Sequence, residues 1–484
     1  MRELPEGWVA TPLKDLVQFV LGGDWGEDPE TADKDMVRVR VIRGTEFRKW
    51  KAEKGRTAAL RAISAASLAK RALRAGDIVV EVSGGGPTQP VGRVLMIDDG
   101  VIDSAHTPVI CSNFARFARL RPEVDPRFVA GYLECAYLSG DFDDLQTQTT
   151  NLRNLNFPRF LHEVIVPMAP VSEQHRIADK LDEVLSRVSA CRERLDKIPK
   201  LIARFRQAVL AAGCSGRLTA DWRKSNPPDR SIAEALPRLH HRREGAAKTV
   251  AQRDRVREIY EEPESQDSDE LPVDWQFVRL NKLCGAFDYG TSAKSSPSGR
   301  VPVLRMGNLQ EGKLDWTDLV YTSDADEIEA YFLRPNTVLF NRTNSPELVG
   351  KTAIYRGERP AIFAGYLIRI NPEPELDPEY LNLCLNAPEA KEFCRSIRTD
   401  GVSQSNINAQ KLGTFEIPFC SIEEQREIVI RVNKLFALAD RVQKRFEKAR
   451  QEVDRLTQSV LARAFAGQLV PTEAELGGIC SEQS

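Results

Sequence analysis

Apolar residues recur with a heptad spacing over two long stretches of this chain. Within each stretch, the steps between apolar positions alternate between four and three residues for nearly five repeats. This alternation predicts a long helix with one apolar seam, as in a coiled coil. The first seam comprises Ile177, Leu181, Val184, Val188, Cys191, Leu195, Ile198, Ile202, Phe205 and Val209, and the second comprises Ile428, Val432, Leu435, Ala439, Val442, Phe446, Ala449, Val453, Leu456 and Val460.

The ends of the two predicted helices carry matching signals. The helices begin near Ser172 and Glu423, and Gly216 and Gly467 end them at equivalent places. Pro199 interrupts the first helix, because a proline inside a helix costs about 3 kcal/mol and kinks or breaks it. With about 40 residues at about 1.5 Å each, a helix of this kind forms a rod of about 60 Å.

Short β-branched runs occupy the region before each predicted helix. VRVRVI (37–42), DIVVEV (77–82) and RVLMI (93–97) lie between Gly, Pro or Asp residues, which is typical of strands. We therefore expect an α/β region of roughly 150 residues before each helix.

The chain also contains an internal repeat, which explains why each pattern occurs twice. LPEGWVATPLKDL (4–16) aligns with LPVDWQFVRLNKL (271–283), VGRV (91–94) with VGKT (349–352), and NLN (154–156) with NIN (406–408). The alignment places Arg43 over Arg305. Residues 165–181 and 204–218 match 416–432 and 455–469 without a gap, which indicates rigid elements at these places.

Together, these patterns predict a mixed α+β and α/β fold with a pseudo-two-fold repeat. Two globular modules are each followed by a long helix, and the two helices pair as a coiled coil. The predicted segments are a first module (1–163), a first helical spacer (164–219), a linker that is partly helical and then acidic (220–270), a second module (271–415), a second helical spacer (416–470) and a disordered tail (471–484).

Composition indicates a cytoplasmic protein with reduced thiols. The apolar stretches are too short to span a bilayer, and the N-terminal residues lack the apolar core of a signal peptide. The nine cysteines form no C-x-x-C pair and no zinc-finger spacing, so we expect neither disulfides nor a metal. The length of 484 residues exceeds that of one ordinary domain.

Net charge is −2, so the chain as a whole gives no nucleic-acid signal. The distribution is more informative, because residues 36–74 contain 12 Lys and Arg against 2 Asp and Glu. This stretch is either a solvated surface or a source of contacts to DNA phosphates, which position a protein without reading sequence.

Candidate catalytic motifs are incomplete. NPPD (226–229) resembles part of a methyltransferase motif, but Asp229 stands where an aromatic ring would stack on a flipped base. GGGP (84–87) is not followed by Gly-Lys-Ser/Thr, so it is not a phosphate-binding loop. We therefore predict no catalytic residue in this chain.

Polar loops at matching places in the two halves are the candidate DNA contacts. SGGGPTQPVGR (83–93) aligns with NRTNSPELVGK (341–351), and TQTTNLRN (147–154) with GVSQSNIN (401–408). Amide and guanidinium groups can form paired hydrogen bonds with base edges, although surface turns have a similar composition. The candidates are Arg43, Ser83, Thr88, Gln89, Arg93, Thr149, Asn151, Arg305, Asn341, Arg342, Asn344, Lys351, Ser403 and Gln404.

With these features, the chain resembles the specificity subunit of a Type I restriction-modification enzyme. The resemblance rests on SEQHRI (172–177) and EEQREI (423–428), on AGCSGRLTADWR (212–223) and RAFAGQL (463–469), and on the order of the duplicated parts. It covers nearly the whole chain.

The resemblance implies that each module is a target-recognition domain for one half of a split, asymmetric site in double-stranded DNA. It implies antiparallel helices that fix the spacing between the half-sites. It also implies two modification subunits and further restriction and motor subunits as partners. S-adenosylmethionine, ATP and Mg²⁺ then belong to those partners, and methylation is usually on adenine.

Two other hypotheses remain open on the sequence alone. The chain could be a coiled-coil interaction scaffold whose modules bind protein and not DNA. Alternatively, it could be a stand-alone methyltransferase or nuclease, which would require a cofactor-binding loop that the motifs do not reveal.

Overall fold

The computed structural model describes residues 4–85, 89–104, 107–148, 152–227, 232–265, 270–401 and 404–476. The chain divides into two compact units. The first unit joins Met1–Asp196 to Glu447–Ser484, and the second contains Lys197–Phe446. Each unit therefore combines one α/β module with segments of both long helices.

The first module contains twelve strands and six α-helices within its described residues. The strands are β1 (Val9–Pro12), β2 (Val17–Gly22), β3 (Met36–Ile42), β4 (Ala59–Ser64), β5 (Ile78–Glu81), β6 (Ser83–Gly85), β7 (Val94–Met96), β8 (Val109–Cys111), β9 (Ala115–Leu120), β10 (Gln146–Gln148), β11 (Arg153–Leu155) and β12 (Ile165–Met168). The helices are α1 (Leu13–Leu16), α2 (Gly44–Glu53), α3 (Ala65–Arg71), α4 (Asp99–Ser104), α5 (Pro126–Ser139) and α6 (Phe157–Glu163).

A series of helices follows this module. They are α7 (Val171–Leu195), α8 (Ile198–Cys214), α9 (Ala220–Ser225), α10 (Ile232–Ala246) and α11 (Val250–Glu261). The predicted first long helix is thus two helices, because Pro199 lies in the first turn of α8, where its missing N–H is tolerated. Of the two effects that the sequence allows at this proline, a kink or a break, the structure shows a break.

The second module repeats the pattern and ends in a long helix. Its strands are β13 (Gln276–Arg279), β14 (Cys284–Tyr289), β15 (Val301–Leu304), β16 (Leu309–Gln310), β17 (Lys313–Leu314), β18 (Val320–Thr322), β19 (Thr337–Asn341), β20 (Thr343–Asn344), β21 (Thr352–Tyr355), β22 (Ile362–Phe363), β23 (Leu367–Pro372), β24 (Thr399–Asp400), β25 (Ser405–Asn406) and β26 (Glu416–Phe419). Its helices are α12 (Leu280–Leu283), α13 (Ala325–Tyr331), α14 (Pro378–Asn386), α15 (Pro388–Ile397) and α16 (Ala409–Gly413), followed by α17 (Ile422–Ala464).

The two modules share four sheets with the same strand order. The four-stranded sheet β2-β9-β5-β7 corresponds to β14-β23-β19-β21, and the three-stranded sheet β4-β3-β8 corresponds to β18-β15-β22. The sheet β10-β11-β6 corresponds to β24-β25-β20, and the pair β1-β12 corresponds to β13-β26. The internal repeat predicted from the sequence therefore extends to the topology.

The start of each long helix is fixed to its module by a Glu-Gln pair. The indole nitrogen of Trp8 donates to Glu173 at 3.0 Å, and that of Trp275 donates to Glu424 at 3.0 Å. The neighbouring Gln174 accepts a hydrogen bond from the backbone N–H of Asp125, as Gln425 does from Asp377. Asp125 and Asp377 cap α5 and α14, whose first residue is a proline in both modules.

Helix ends are part of the core in each unit. Ile177 and Leu181 of α7 pack with Leu461 and Ala464 of α17 in the core of the first unit. Val209 and Leu210 of α8 pack with Ile428 and Val432 of α17 in the core of the second.

Ion pairs show that the helices run antiparallel within each unit. In the first unit Arg192 binds Asp454 at 2.7 Å, and Asp196 pairs with Arg450. In the second unit Arg206 binds Asp440 at 2.5 Å, and Gly213 lies next to Ile428. Because the partner number falls as the first number rises, the segments point in opposite directions.

Burial along the predicted seam is uneven. Ile177, Leu181, Val209, Ile428 and Val432 are buried. Val184, Val188, Leu195, Ile202, Leu435, Phe446, Val453 and Val460 are half-buried. Phe205, Val442 and Leu456, however, are 37%, 40% and 48% exposed, so the seam is not buried throughout. In a pair of helices, a seam side chain is covered only by the opposite helix and stays partly exposed to solvent. It is fully buried where residues of a module also pack against it.

Two segments are more ordered than the sequence suggests. The predicted linker (220–270) is mostly helical, and Ile232 and Leu239 of α10 belong to the core of the second module. In the predicted tail (471–484), Glu473 binds Arg176 at 2.7 Å, so the described residues 471–476 are packed on the first unit. The predicted boundary at 163 also precedes β12, which pairs with β1 and belongs to the module.

Candidate nucleic-acid interface

In the first module, the two predicted polar loops meet in one small sheet. β6, from the first loop, pairs with β11 beside the second loop, and β11 pairs with β10. Asn154 lies opposite Ser83, whose hydroxyl donates to the Asn154 Oδ1 at 2.6 Å. Two segments about 70 residues apart therefore present their side chains on one framework.

The second module builds the same framework with different residues. Asn406 of β25 lies opposite Thr343 of β20, and the Thr343 hydroxyl donates to the Asn406 Oδ1 at 2.6 Å. Asn344 lies opposite Ser405, while its own side chain accepts a hydrogen bond from the N–H of Ser345 at 2.8 Å. The hydroxyl-to-amide contact is thus common to both modules.

The second polar loop leads directly into a capped helix in each module. Asn156 accepts a hydrogen bond from the N–H of Arg159 at the start of α6, and Asn408 accepts one from Lys411 at the start of α16. Asparagine is a preferred residue at this position, because its side chain binds a free N–H of the first turn. The repeated NLN and NIN motifs therefore fix the loop at the sheet and at the helix.

Arg93 and Lys351 occupy equivalent positions but have different surroundings. Arg93 binds both carboxylate oxygens of Glu81 at 2.6 and 2.8 Å, and Glu81 is buried. Burial lowers the pKa of Arg93, but the hydrogen bonds and charge of Glu81 outweigh it, so the pKa is raised overall. Lys351, in contrast, donates only to the Gln310 amide at 3.0 Å among the described hydrogen bonds.

Each module contains one pair of a cation and an amide next to its first polar loop. In the first module the exposed Arg48 of α2 donates to the side-chain oxygen of Gln89. In the second module Lys351 donates to Gln310 of β16. The cation is on the helix in one module and on the loop in the other. Both pairs offer the donor and acceptor groups used to read base edges.

Arg43 and Arg305 start the same local structure in the two modules. The N–H of Arg43 donates to the carboxylate of Glu46 at 2.7 Å, and the N–H of Arg305 donates to the Asn308 amide at 2.7 Å. The Arg43 guanidinium also binds Glu46 at 2.8 Å, and this hydrogen bond raises the pKa of Arg43. The Arg305 guanidinium binds the exposed Asp318 at 3.0 Å.

Arg342 lies next to the small sheet of the second module. Its guanidinium lies 4.8 Å from the centre of the Tyr289 ring, and its Nε has no hydrogen-bond partner among the described residues. The Tyr289 hydroxyl accepts a hydrogen bond from the N–H of Ala409 at 2.9 Å. Asn341, just before Arg342, is fully buried, and its side chain accepts from the N–H of Thr343.

Four predicted contacts, Thr88, Thr149, Asn151 and Ser403, lie outside the described residues. Gln404 is exposed, and its carbonyl accepts from the N–H of Gly401 in the turn between β24 and β25. Of the predicted contacts, the structure therefore places Ser83 and Asn344 on the small sheets and Gln404 in the turn just before β25. Arg43, Arg93, Arg305 and Asn341 are instead bound to neighbouring residues of their own module.

The basic stretch 36–74 is divided between internal and exposed side chains. Arg40 donates to the Arg56 carbonyl at 2.9 Å, Lys54 pairs with Asp98, and Arg71 donates to the Gly22 carbonyl at 3.1 Å. Arg38, Lys70 and Arg74 have exposed side chains.

Arg48, Tyr289 and Gln310 also lie in this region but are not among the candidates predicted from the sequence. Arg48 lies in the basic stretch 36–74, for which the sequence leaves open either a solvated surface or contacts to DNA phosphates. Tyr289 and Gln310 lie outside the polar loops and become visible only through their contacts.

Within the described part of the chain, no group of three or more His, Cys, Asp or Glu side chains is arranged to hold a metal ion. None of the helices described there is both long and apolar enough to cross a membrane.

Comparison with known proteins agrees with this architecture. A family model described as the Type I restriction modification DNA specificity domain matches residues 272–448. The EcoKI specificity subunit of Escherichia coli (strain K12) is 26% identical over 476 residues, which cover 96% of this chain and 90% of that protein. The StySPI specificity subunit of Salmonella potsdam is 25% identical and covers 96% and 90%, respectively.

Two solved structures share the fold. A chain from a structure that describes complex assembly and conformational transition of the type I R-M system has a TM-score of 0.61 at 17% identity, covering 97% of this chain and 100% of that one. The HsdS subunit from Thermoanaerobacter tengcongensis has a TM-score of 0.51 at 18% identity, covering 96% and 98%.

The fold and the paired polar loops define a class of protein with two similar recognition modules connected by long helices. This chain belongs to the family of Type I restriction-modification specificity subunits. In such an enzyme the specificity subunit determines the DNA target sequence and is the non-catalytic member of the complex.

Proposed function

We propose that each module reads one half of a split, asymmetric site in double-stranded DNA. The observation that carries this proposal is the small sheet of polar loops, which has the same strand order in both modules but different side chains. Because amide and guanidinium groups recognise particular base edges, unlike side chains on like frameworks read unlike sequences. The two half-sites therefore differ.

Residues within the proposed interface have different roles. Arg48 with Gln89, Gln310 with Lys351, and Arg342 are the proposed readers of bases. The exposed cations Arg38, Lys70 and Arg74 are proposed to contact phosphates, which set position and salt dependence. Arg93 is proposed to hold the first polar loop in place through its pair with the buried Glu81.

The helices are proposed to set the spacing between the half-sites. α17 has 43 residues, which corresponds to about 65 Å at about 1.5 Å per residue. Helix faces that do not face the partner helix are then available to other subunits. We propose that two modification subunits and the restriction and motor subunits bind this chain in the cytoplasm. S-adenosylmethionine, ATP and Mg²⁺ are supplied at the sites of those subunits.

Support for partner subunits comes from the relatives. EcoKI and StySPI are Type I restriction enzymes, and the relatives of this chain are the specificity subunits of those enzymes. One structural neighbour belongs to a structure that concerns complex assembly of the type I R-M system.

Sequencing of methylated bases in the host genome tests the proposal. Strains with and without this chain should differ by methylation at one bipartite, asymmetric sequence. Replacing residues 4–168 with the first module of another family member should change one half-site and leave the other half-site and the spacer unchanged. The proposal fails if no bipartite sequence depends on the chain, or if the exchange leaves the sequence as it was.

A further inference from the structure

An exposed aromatic side chain occupies the same position in both modules. Phe114 precedes β9 in the first module and is 51% exposed, and Tyr366 precedes β23 in the second and is 48% exposed. Among the described aromatic residues, each is the most exposed of its unit. A single exposed apolar residue is common on protein surfaces. An exposed aromatic residue at the equivalent position of both modules, however, indicates that the two residues have the same function.

The turn that carries the aromatic residue is held in the same way in both modules. The N–H of Ala115 donates to the Ser112 carbonyl at 2.9 Å, and the N–H of Leu367 donates to the Ala364 carbonyl at 2.9 Å. A neighbouring strand end adds a second hydrogen bond of 2.9 Å in each case, from Asp24 to Cys111 and from Thr291 to Phe363.

A glycine directly after the end of that strand allows the close approach of the two backbones. A Cβ at Gly23 would lie 2.0 Å from the Cys111 carbonyl oxygen, and one at Gly290 would lie 2.2 Å from the Phe363 oxygen. No other residue fits at either position without moving the turn. Both rings are therefore presented from a backbone that is fixed on two sides, while the residues that follow them, Ala115 and Leu367, are buried.

The same turn is bonded to the start of the first polar loop. The Phe114 carbonyl accepts hydrogen bonds from the N–H groups of Val82 at 2.9 Å and Ser83 at 3.2 Å. The Tyr366 carbonyl accepts one from Arg342 at 3.0 Å. Ser83 begins β6, and Arg342 immediately precedes β20, so each aromatic residue is attached to the small sheet of its module.

A guanidinium group lies at the start of the capped helix in both modules. In the first, Arg116 lies 5.3 Å from the centre of the Phe157 ring, and Phe157 is the first residue of α6. In the second, Arg342 lies over Tyr289, whose hydroxyl binds the N–H of Ala409, the first residue of α16. Each aromatic residue thus belongs to a region that also offers a cation to DNA.

We propose that Phe114 and Tyr366 are base-contacting residues, one for each half-site. The inference rests on the proposed function. A rigid aromatic ring offers an apolar surface to a thymine methyl group or to the face of a base, and it loses little side-chain entropy on contact. Phosphates offer no apolar surface, so the contact adds to sequence discrimination and not to general affinity for DNA. The Tyr366 hydroxyl gives the second module an additional hydrogen-bonding group.

Binding measurements on the assembled methyltransferase test this role. The probes are a duplex with the methylated sequence found in the host, and a duplex with both half-sites scrambled. Phe114→Ala and Tyr366→Ala should each weaken binding to the specific duplex at least tenfold. Binding to the scrambled duplex should change less than twofold, and the dependence of log K on log salt concentration should keep its slope.

Duplexes with single base changes then separate the two residues. Phe114→Ala should reduce discrimination only within one half-site, and Tyr366→Ala only within the other. Leu60→Ala and Phe332→Ala serve as matched controls, because these side chains are 46% and 42% exposed but are not on the turn. Both controls should bind the specific duplex within twofold of the unchanged chain. The ring-removing Phe114→Leu and Tyr366→Leu, which keep apolar volume, should still weaken specific binding at least threefold.

Three results would overturn the inference: specific binding within twofold of the unchanged chain, an equal loss on both duplexes, or loss of the modification subunits from the purified complex. Failure of the proposed function would look different, because the unchanged complex would then not prefer its own sequence over the scrambled duplex.

Discussion

The indole nitrogen of Trp8 lies 3.0 Å from the carboxylate of Glu173, which is fully buried and 165 residues further along the chain. The other carboxylate oxygen of Glu173 accepts a hydrogen bond from the N–H of Glu473 at 3.1 Å. One buried carboxylate, that of Glu173 at the start of α7, therefore connects Trp8 just before β1 with Glu473 in the C-terminal segment.

Trp8→Phe should destabilise the first unit, because it leaves a buried carboxylate short of a donor. We expect a loss of about 1–3 kcal/mol, seen as a lower thermal midpoint in calorimetry. Trp275→Phe should cost less, since Glu424 keeps hydrogen bonds from Thr219 at 2.7 Å and Arg223 at 2.9 Å. Val9→Ala, at a 63% exposed position, is the control. Equal losses for the two tryptophan variants would show that packing of the ring decides stability.

Arg93→Ala should destabilise the protein, whereas Lys351→Ala should not. Removing Arg93 leaves the buried Glu81 without its cation, which costs about 3–5 kcal/mol. Lys351 contacts a neutral amide, so its loss should change the free energy of unfolding by about 0.5 kcal/mol or less. Thermal unfolding of both variants checks this. An unchanged unfolding temperature for Arg93→Ala would show that Arg93 is not needed for stability. Arg93 would then again be a candidate for contact with DNA.

Arg342→Ala should weaken binding of the assembled complex to its specific DNA. The guanidinium lies over the Tyr289 ring and has no ion pair in the described structure, and we propose that its terminal nitrogens bind DNA. The expected loss is about 1–3 kcal/mol, or roughly ten- to a hundredfold in affinity. DNA-binding titrations at two salt concentrations show whether Arg342 contacts a base or a phosphate. Loss of a phosphate contact reduces the slope of log K against log salt concentration by about 1, whereas loss of a base contact does not. Unchanged affinity would remove Arg342 from the interface.

Among the cysteines that the structure describes, thiol alkylation should be selective for Cys191. Cys191 is exposed, whereas burial raises the pKa of Cys111 to about 12 and that of Cys135 to about 11. A raised thiol pKa keeps the neutral, unreactive form up to higher pH, so the reactive thiolates of Cys111 and Cys135 are scarce at pH 8. Mass spectrometry of iodoacetamide-treated protein should find Cys191 modified long before these two. Rapid labelling of Cys111 would contradict the buried environment.

Removal of one heptad from both long helices should shorten the spacer between the half-sites. Seven residues at about 1.5 Å correspond to about 10 Å, or roughly three base pairs. The half-sites themselves should remain, because the modules are unchanged. Sequencing of methylated bases gives both quantities at once. The same spacer in the shortened chain would disprove the role of the helices as a ruler.

The duplication and the long helices could be predicted from the sequence because their signals are periodic or repeated. The heptad spacing located α7, α8 and α17, and Pro199 predicted the break between the first two. The Glu-Gln pair also stood out in the repeat, but its contact with Trp8 joins residues 165 positions apart and left no local pattern.

The small sheets could not be predicted, since strands of two or three residues such as β6 and β20 have no periodicity of their own. Their pairing depends on where the fold brings two distant loops. For the same reason the sequence did not distinguish Arg93, which faces the buried Glu81, from Lys351 at the equivalent position. The sequence did not single out Phe114 and Tyr366, because an aromatic residue next to a strand is usually part of the core.

The contacts of Glu473 have a consequence for the stability of the first unit. Its side chain binds Ser172 and Arg176, and its N–H binds Glu173, only a few residues from the end of the described chain. Removal of Glu473 would take all of these contacts away together. The buried carboxylate of Glu173 would then keep Trp8 but lose a second donor, at a cost of about 1–3 kcal/mol to the first unit.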